Sequence, residues 1–453
     1  MAFKDECGVF GIWPHPEASR QTYLGLYALQ HRGQEAAGIC SRGEKELLLH
    51  KAQGYVADVF SPDTLDRLSG DAAIGHTRYS TTGGNVASAA HPFLVEGRFG
   101  QVALCHNGNL TNTEVLRRRL IEQGQVFTSP SDSEVILALI NRACAATLED
   151  AVVEALRQVE GAFSLLVLSG TQIMAARDPR GFRPLSLAKL GDAVVFSSES
   201  CAFDLVGADY EREIQPGELM IVDAEGSRSR YPISGVEPKP CVFEHVYFAR
   251  PDSFVYSRSV MGTRREMGRL LAKRYPADVD LVVPVPDSGV SAALGYAEAC
   301  GAPFEFGLIR NHYVGRTFIE PKQSIRSFGV KIKLNPVREL LKGKRVVLVD
   351  DSIVRGTTSR KIVQMVKEAG AAEVHLRISS PPTTHSCFYG IDTPSREHLI
   401  AANHSVEGIR EFLGADSLGY LTEEDLQTAM TDPGGKGFCY ACFNGAYPVL
   451  PRK

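Results

Sequence analysis

Nowhere in this chain does an apolar run approach the roughly 18 residues that a membrane-crossing helix needs. The opening MAFKDE is too short and too polar for a secretory signal, and no apolar core follows it. Basic residues are not in excess: 49 Lys and Arg stand against 53 Asp and Glu, a net charge of −4. That balance gives no footing to nucleic acid or a membrane surface as partner. No segment repeats with a period of roughly 20–50 residues, and none is of low complexity. Two nucleotide signatures are missing, the G-x-x-x-x-G-K-[ST] loop and the G-x-G-x-x-G turn. What remains is the composition of a soluble globular protein, 44% apolar and 23% charged. Its 453 residues suffice for two or three domains whose cores need no disulfides. The ten cysteines are therefore expected in a reducing, cytoplasmic setting, where catalysis or metal binding is their better use.

Two patterns divide the chain. The first half carries short strand-like runs at Ala73–Gly75, Val102–Cys105, Phe163–Leu168 and Ala193–Phe196. Helix-period apolar positions span Thr111–Glu122 and Ser133–Cys144, with Ser131 or Asp132 able to cap the second. YPISGVEPKP, Tyr231 to Pro240, holds three prolines and reads as a linker. Strand–helix alternation follows. Leu281–Val285, Arg345–Val349 and Glu373–Ser379 are strands; Ser291–Cys300 and about Ser359–Ala369 are helices. Such alternation implies a parallel sheet with helices on both faces.

The sharpest string is KRVVLVDDSIVRGTTS, Lys344 to Ser359. A buried strand delivers Asp350 and Asp351 to the carboxyl edge of the sheet, where open α/β sheets bind ligands. Gly356, Thr357, Thr358 and Ser359 then open a helix. Its free N–H groups, its dipole and three hydroxyls favour a phosphate. Carboxylates for ribose hydroxyls or Mg²⁺ at one end and a phosphate cradle at the other suit a sugar phosphate. Either aspartate alone could be an ordinary acidic strand end. The whole string resembles the phosphoribosyl-diphosphate loop of type I phosphoribosyltransferases. VVPVPDSGVS, with Asp287, Ser288 and Gly289, resembles that family's pyrophosphate and Mg²⁺ loop. The polar stretch Arg310 to Arg326, with Arg316 and Lys322, is similar to its closing lid.

Cys7 heads the run CGVFGI. A free thiol ionises near pH 8.5 and needs a base to act as a nucleophile. No motif ties a histidine to it. If MAFKDE were removed, Cys7 would carry its own α-amine, with a pKa of about 7.7–8.0, as base. CGVFGI, LQHRGQEAAGI, GHTRYSTTG, HNGNLTN and SDSE resemble, in order and spacing, the amino-terminal-nucleophile glutaminase domain. The resemblance implies that Arg78 pairs with the glutamine carboxylate and Asp132 with its ammonium. It also implies that Asn107 and Gly108 form the oxyanion hole.

Cys439-Tyr440-Ala441-Cys442 is a C-x-x-C that alone could be a redox pair, half a zinc site or half an iron–sulfur site. Cys241 and Cys387 are candidate partners, at separations too irregular to name a metal. The other five, Cys40, Cys105, Cys144, Cys201 and Cys300, read as buried small hydrophobes. Nearly the whole chain, including RDPRGFRPL and FEHVYFARPDS, resembles the amidophosphoribosyltransferase family. That resemblance implies an α+β glutaminase with αββα layers followed by an α/β type I phosphoribosyltransferase domain with a parallel sheet. It divides the chain into a propeptide, 1–6, a glutaminase, 7–232, and a transferase, 233–453. It implies ammonia transfer from glutamine to 5-phosphoribosyl 1-diphosphate, the first committed step of purine synthesis. It assigns Mg²⁺ to Ser288, Asp350 and Asp351, and a [4Fe–4S] cluster to Cys241, Cys387, Cys439 and Cys442. Purine nucleotides as feedback inhibitors and a homotetramer complete the expectation.

Overall fold

The computed structural model describes residues 7–79, 89–311, 333–430 and 437–452. MAFKDE, Arg316 and Lys322 lie outside the described residues. The first part is built on two antiparallel sheets. One has seven strands, ordered Asp209–Glu213, Ser186–Leu190, Ala193–Ser197, Gly8–Trp13, Ala73–Arg78, Ala36–Arg42 and Leu47–Gln53. The other has six, with Gly100–Leu110 and Gly161–Ser169 near one edge and Gln172–Arg177 beside them.

Gly8–Trp13, Ala73–Arg78, Gly161–Ser169 and Ala193–Ser197 are buried on both faces, which is why such strands read as largely apolar runs rather than alternating ones. In GVFGIW, Val9 and Trp13 enter the layer between the sheets, while Phe10 and Ile12 pack under helices. In VALC, Ala103 and Cys105 face the other sheet, and Val102 and Leu104 face helices. Ala18–Ala28 and Cys201–Val206 cover the first sheet; Asp132–Arg142 and Leu148–Leu156 cover the second. The layers are αββα, as the resemblance implies. The Ser131 hydroxyl accepts from the Ser133 N–H and caps its helix.

Residues 231–240 form no regular structure. Beyond them a four-stranded parallel sheet runs in the order Leu281–Pro284, Arg345–Asp350, Glu373–Ile378 and Ser417–Tyr420. Val260–Arg274 and Val290–Cys300 cover one face, and Thr357–Glu368 and Val406–Leu413 the other. Among the described residues, no helix is long and apolar enough to cross a membrane. Two of the five cysteines expected in the core are not there. Cys144 is exposed, because its helix ends at Arg142, and Cys300 is half-buried at a helix end.

A cluster of buried charge joins the halves. Arg32 donates to Glu199 at 2.5 Å and to both oxygens of Glu244 at 2.9 Å. Arg183 donates to Glu244 at 3.2 Å. All four side chains are fully buried. Two cations thus balance two anions. Burial opposes ionisation of the carboxylates, yet both are held below their ordinary range, Glu199 by His31 and Arg32 and Glu244 by Arg32 and Arg183. Glu244→Gln would leave a net buried positive charge, and breaking such a pair costs roughly 3–5 kcal/mol. The urea midpoint at pH 7 should fall accordingly. Because the native carboxylate ionises below its unfolded value of about 4.3, the wild-type advantage is full above that pH. It should shrink as the pH drops below it.

Candidate active sites

Cys7 leads the central strand of the seven-stranded sheet. Its Sγ donates to the Tyr79 carbonyl at 3.6 Å, and its own carbonyl accepts from Arg32 Nε at 3.0 Å. Burial pushes the thiol up to about 11, with the Tyr79 hydrogen bond and Arg78 pulling it back. Arg78, at the end of the neighbouring strand, and Asp132, at a helix start, both act on the thiol electrostatically. Among the described residues, no histidine hydrogen-bonds the Cys7 thiol.

Asn107 and Gly108 sit on Gly100–Leu110, paired with Ser164 and Phe163. Asn107 Nδ2 is buried and has no hydrogen-bond partner. An orphan of this kind costs about 1–3 kcal/mol, which a bound oxyanion would repay. Gly108 has φ +143°, and a Cβ there would lie 2.1 Å from the Ala162 carbonyl, so no other residue fits.

Three buried histidines behind this site were given no role in the sequence analysis, although two lie in quoted motifs. His76 Nε2 meets the His106 carbonyl at 3.0 Å, and its ring stacks on His91 at 4.3 Å. His106 lies 3.4 Å from Asp132, whose other oxygen accepts from the Leu110 N–H. Burial lowers His76 to about 3 and His91 well below its ordinary value. Burial acts the same way on His106, but the Asp132 charge reverses it and raises the ring.

The second site is a cavity of about 570 Å³ at the carboxyl edge of the parallel sheet. Asp350, Asp351, Ser288, Gly356, Thr358 and Ser359 line it. Thr357 is exposed and is not part of the wall. Burial and the neighbouring Asp351 charge push the Asp350 carboxyl well above its usual range. Gly356, with φ +73°, turns the chain into the helix Thr357–Glu368, whose N-terminus faces the cavity. Arg264 also lines it, and burial lowers its guanidinium to about 10. No motif singled out Arg264; only its tertiary position reveals it. His31 and Gln34 of the first part of the chain also contribute to this wall.

The four remaining cysteines gather in space. Cys241 bridges to Cys439 through the backbone, and Cys387 Sγ accepts from the Tyr389 N–H at 3.2 Å. Burial, then the charges of Cys241, Cys439 and Cys387, raise the Cys442 thiol well above its ordinary value. Among the described residues, no three His, Cys, Asp or Glu side chains converge tightly enough for one metal ion.

The histidines set the acid limb of stability. Unfolded, His76 and His91 take up protons near pH 6.5; folded, His76 resists down to about 3. The unfolded state therefore binds more protons below pH 6.5, and stability falls with pH there. Urea unfolding at pH 7.5, 6.5 and 5.5 should show a loss of up to about 1.4 kcal/mol per unit for each ring below 6.5. A flat profile would mean that both rings protonate in place.

Residues 76–204 match the family model of a glutamine amidotransferase domain, and residues 257–379 that of a phosphoribosyl transferase domain. The chain is 52% identical over 452 residues to chloroplastic amidophosphoribosyltransferase 1 of Arabidopsis thaliana, covering 99% of this chain and 80% of that one. It is 49% identical over 449 residues to the Bacillus subtilis amidophosphoribosyltransferase, covering 98% and 94%. The solved structure of glutamine phosphoribosylpyrophosphate amidotransferase from B. subtilis complexed with ADP and GMP matches with a TM-score of 0.94 at 48% identity, covering 99% and 98%. With half of its residues identical along nearly its whole length, and with both domains matched, the chain belongs to the amidophosphoribosyltransferase family.

Proposed function

We propose that this chain hydrolyses glutamine at Cys7 and passes the ammonia, inside the protein, to C1 of 5-phosphoribosyl 1-diphosphate. The products are glutamate, 5-phosphoribosylamine and pyrophosphate, and the reaction opens purine synthesis. One observation carries this reading. His31 and Gln34 line the transferase cavity, while Arg32 between them holds the Cys7 carbonyl. Neighbouring residues thus serve both sites.

The thiol is too basic at about 11 to ionise unaided at neutral pH. An α-amine on Cys7, freed by removal of MAFKDE, would accept its proton. Arg78 pairs with the glutamine carboxylate and Asp132 with the ammonium. The thiolate attacks the side-chain amide carbon, and Asn107 Nδ2 and the Gly108 N–H receive the developing oxyanion. Ammonia leaves, and water hydrolyses the thioester to release glutamate. At the second site the helix N-terminus, with Gly356, Thr358 and Ser359 in the cavity wall, holds the 5′-phosphate, and Asp350 and Asp351 hold the ribose hydroxyls. Arg316 and Lys322 would close over the sugar.

Asp350, Asp351 and Ser288 would hold Mg²⁺. Burial and, after it, the Asp351 charge raise Asp350, and a cation would offset both. Two carboxylates are also the usual protein share when substrate phosphates complete the shell. The ion would neutralise charge on the diphosphate leaving group. Cys241, Cys387, Cys439 and Cys442 would hold a [4Fe–4S] cluster in a structural role, since no step transfers an electron. Purine nucleotides are proposed as feedback inhibitors, as the ADP and GMP in the B. subtilis complex suggest. The proposed assembly is a homotetramer in the cytoplasm.

Cys7→Ala should abolish synthesis from glutamine and leave synthesis from concentrated ammonia intact. Loss of both in a folded variant would refute the division into two sites. Asp350→Asn should lower both activities by roughly ten- to a hundredfold, the worth of one charge-assisted hydrogen bond. Iron analysis of anaerobically purified protein should find four irons per chain, the content of one cubane. Zinc instead would overturn the cluster.

A further inference from the structure

The oxyanion strand of the first domain is braced by the second. Residues 387–390, Cys387-Phe388-Tyr389-Gly390, lie directly against it. Asn109 Nδ2 donates to the Phe388 carbonyl at 3.0 Å. A Cβ added to Gly390 would stand 3.1 Å from both Cα and the carbonyl carbon of Gly108. The contact is backbone against backbone, so no flexible side chain can absorb a shift.

The segment is itself held from behind. The Tyr389 ring stacks on Phe182 at 4.1 Å, with the planes 15° apart. Its hydroxyl donates to the Val449 carbonyl at 2.6 Å and accepts from the Val449 N–H at 2.9 Å. The Tyr389 N–H donates to Cys387 Sγ. Three residues beyond Gly108 along the same chain, the register is fixed again, since the Arg452 N–H donates to the Thr111 carbonyl at 2.8 Å. Arg452 also pairs with Glu160 at 2.7 Å.

We propose that the 387–390 segment is a positioning element for the oxyanion donors, so that the glutaminase is complete only when this part of the transferase domain is seated on it. The proposal rests on the glutaminase reading above and deepens it. An oxyanion hole acts through the direction of its donors. The Gly108 peptide meets Gly390, and Asn109, one residue on, is tied to Phe388. Cys387 begins the segment, so disorder around its thiol reaches the glutaminase first. Glutamine hydrolysis would then stop before transfer from ammonia does, and no glutamine would be spent without an acceptor.

The test uses the full chain. Gly390→Ala adds a methyl where φ is +106° and the Gly108 backbone is in contact. Glutamine-dependent kcat should fall roughly ten- to a hundredfold, less than the 10²–10³ typical of a deleted oxyanion donor. The KM for glutamine and the ammonia-dependent rate should not change. Tyr389→Phe removes the tether to Val449 and leaves the backbone contact in place. It should give a smaller loss in the same direction, and it tests the idea even where Gly390→Ala does not fold. Two readouts separate geometry from general damage. Inhibition by the γ-aldehyde analogue of glutamine, which forms an oxyanion on Cys7, should weaken in step with kcat. Alkylation of Cys7 by iodoacetamide, which forms none, should keep its rate. Parallel loss of both activities, unchanged kinetics in both variants, or slowed alkylation would overturn the proposal. Wild-type protein with no glutamine-dependent activity would instead overturn the glutaminase reading itself.

Discussion

The rest of the structure depends on four buried charges. Arg32 and Arg183 face Glu199 and Glu244 in a space that excludes water. Unpaired, any one of them would be driven from its place or neutralised. Together they constrain one another to a single arrangement. That arrangement fixes the Cys7 carbonyl, through Arg32 Nε, against the turn Glu244–Phe248. Tyr247 and Phe248 in that turn line the transferase cavity. Cys7 and the cavity at the parallel sheet therefore share one reference. Glu199 extends it, accepting from the Arg250 N–H and the Ser253 hydroxyl.

Both sites hold ionisable groups that burial shifts towards the neutral form. Around Cys7 the polar groups are desolvated before substrate arrives. Asn107 Nδ2 has no partner, and the thiol is held protonated by burial. In the proposed reaction substrate supplies the missing interactions, so binding strengthens as charge develops on the oxyanion. At the parallel sheet burial comes first again, and the neighbouring Asp351 charge adds to it in raising the Asp350 carboxyl. Burial also keeps His76 and His91 behind Cys7 neutral, whereas at His106 the Asp132 charge outweighs burial and raises the ring.

Much of this was legible in order along the chain. The parallel sheet follows from strand–helix alternation and from runs such as Leu281–Pro284 and Arg345–Asp350, apolar because both faces are covered, while the αββα layers were implied by the family resemblance. The helix 357–368 begins where glycine and hydroxyl residues follow a buried strand. Local chemistry decides such features, and neighbouring residues report it. Where local chemistry was silent, so was the sequence. Cys144 and Cys300 looked like core residues by type, yet lie at helix ends. Thr357 shares a motif with Ser359, but helical rotation turns the two different ways.

The sequence by itself determined which half of the chain holds each candidate group: the Cys7 thiol and Asn107 amide in the first, the Asp350 and Asp351 carboxylates and the hydroxyl-rich helix start after Gly356 in the second. These depend on a few neighbours along the chain, so spacing encodes them. Only the tertiary structure decided what stands between the halves. Arg32 meets Glu244 across 212 positions, and Asn109 meets Phe388 across 279. Arg264 reaches the cavity wall from a helix that no motif marked. Pairings at such distances leave no periodicity and no local pattern. They exist because burial makes an unpartnered charge or backbone group costly, and only the folded chain determines which partner is within reach.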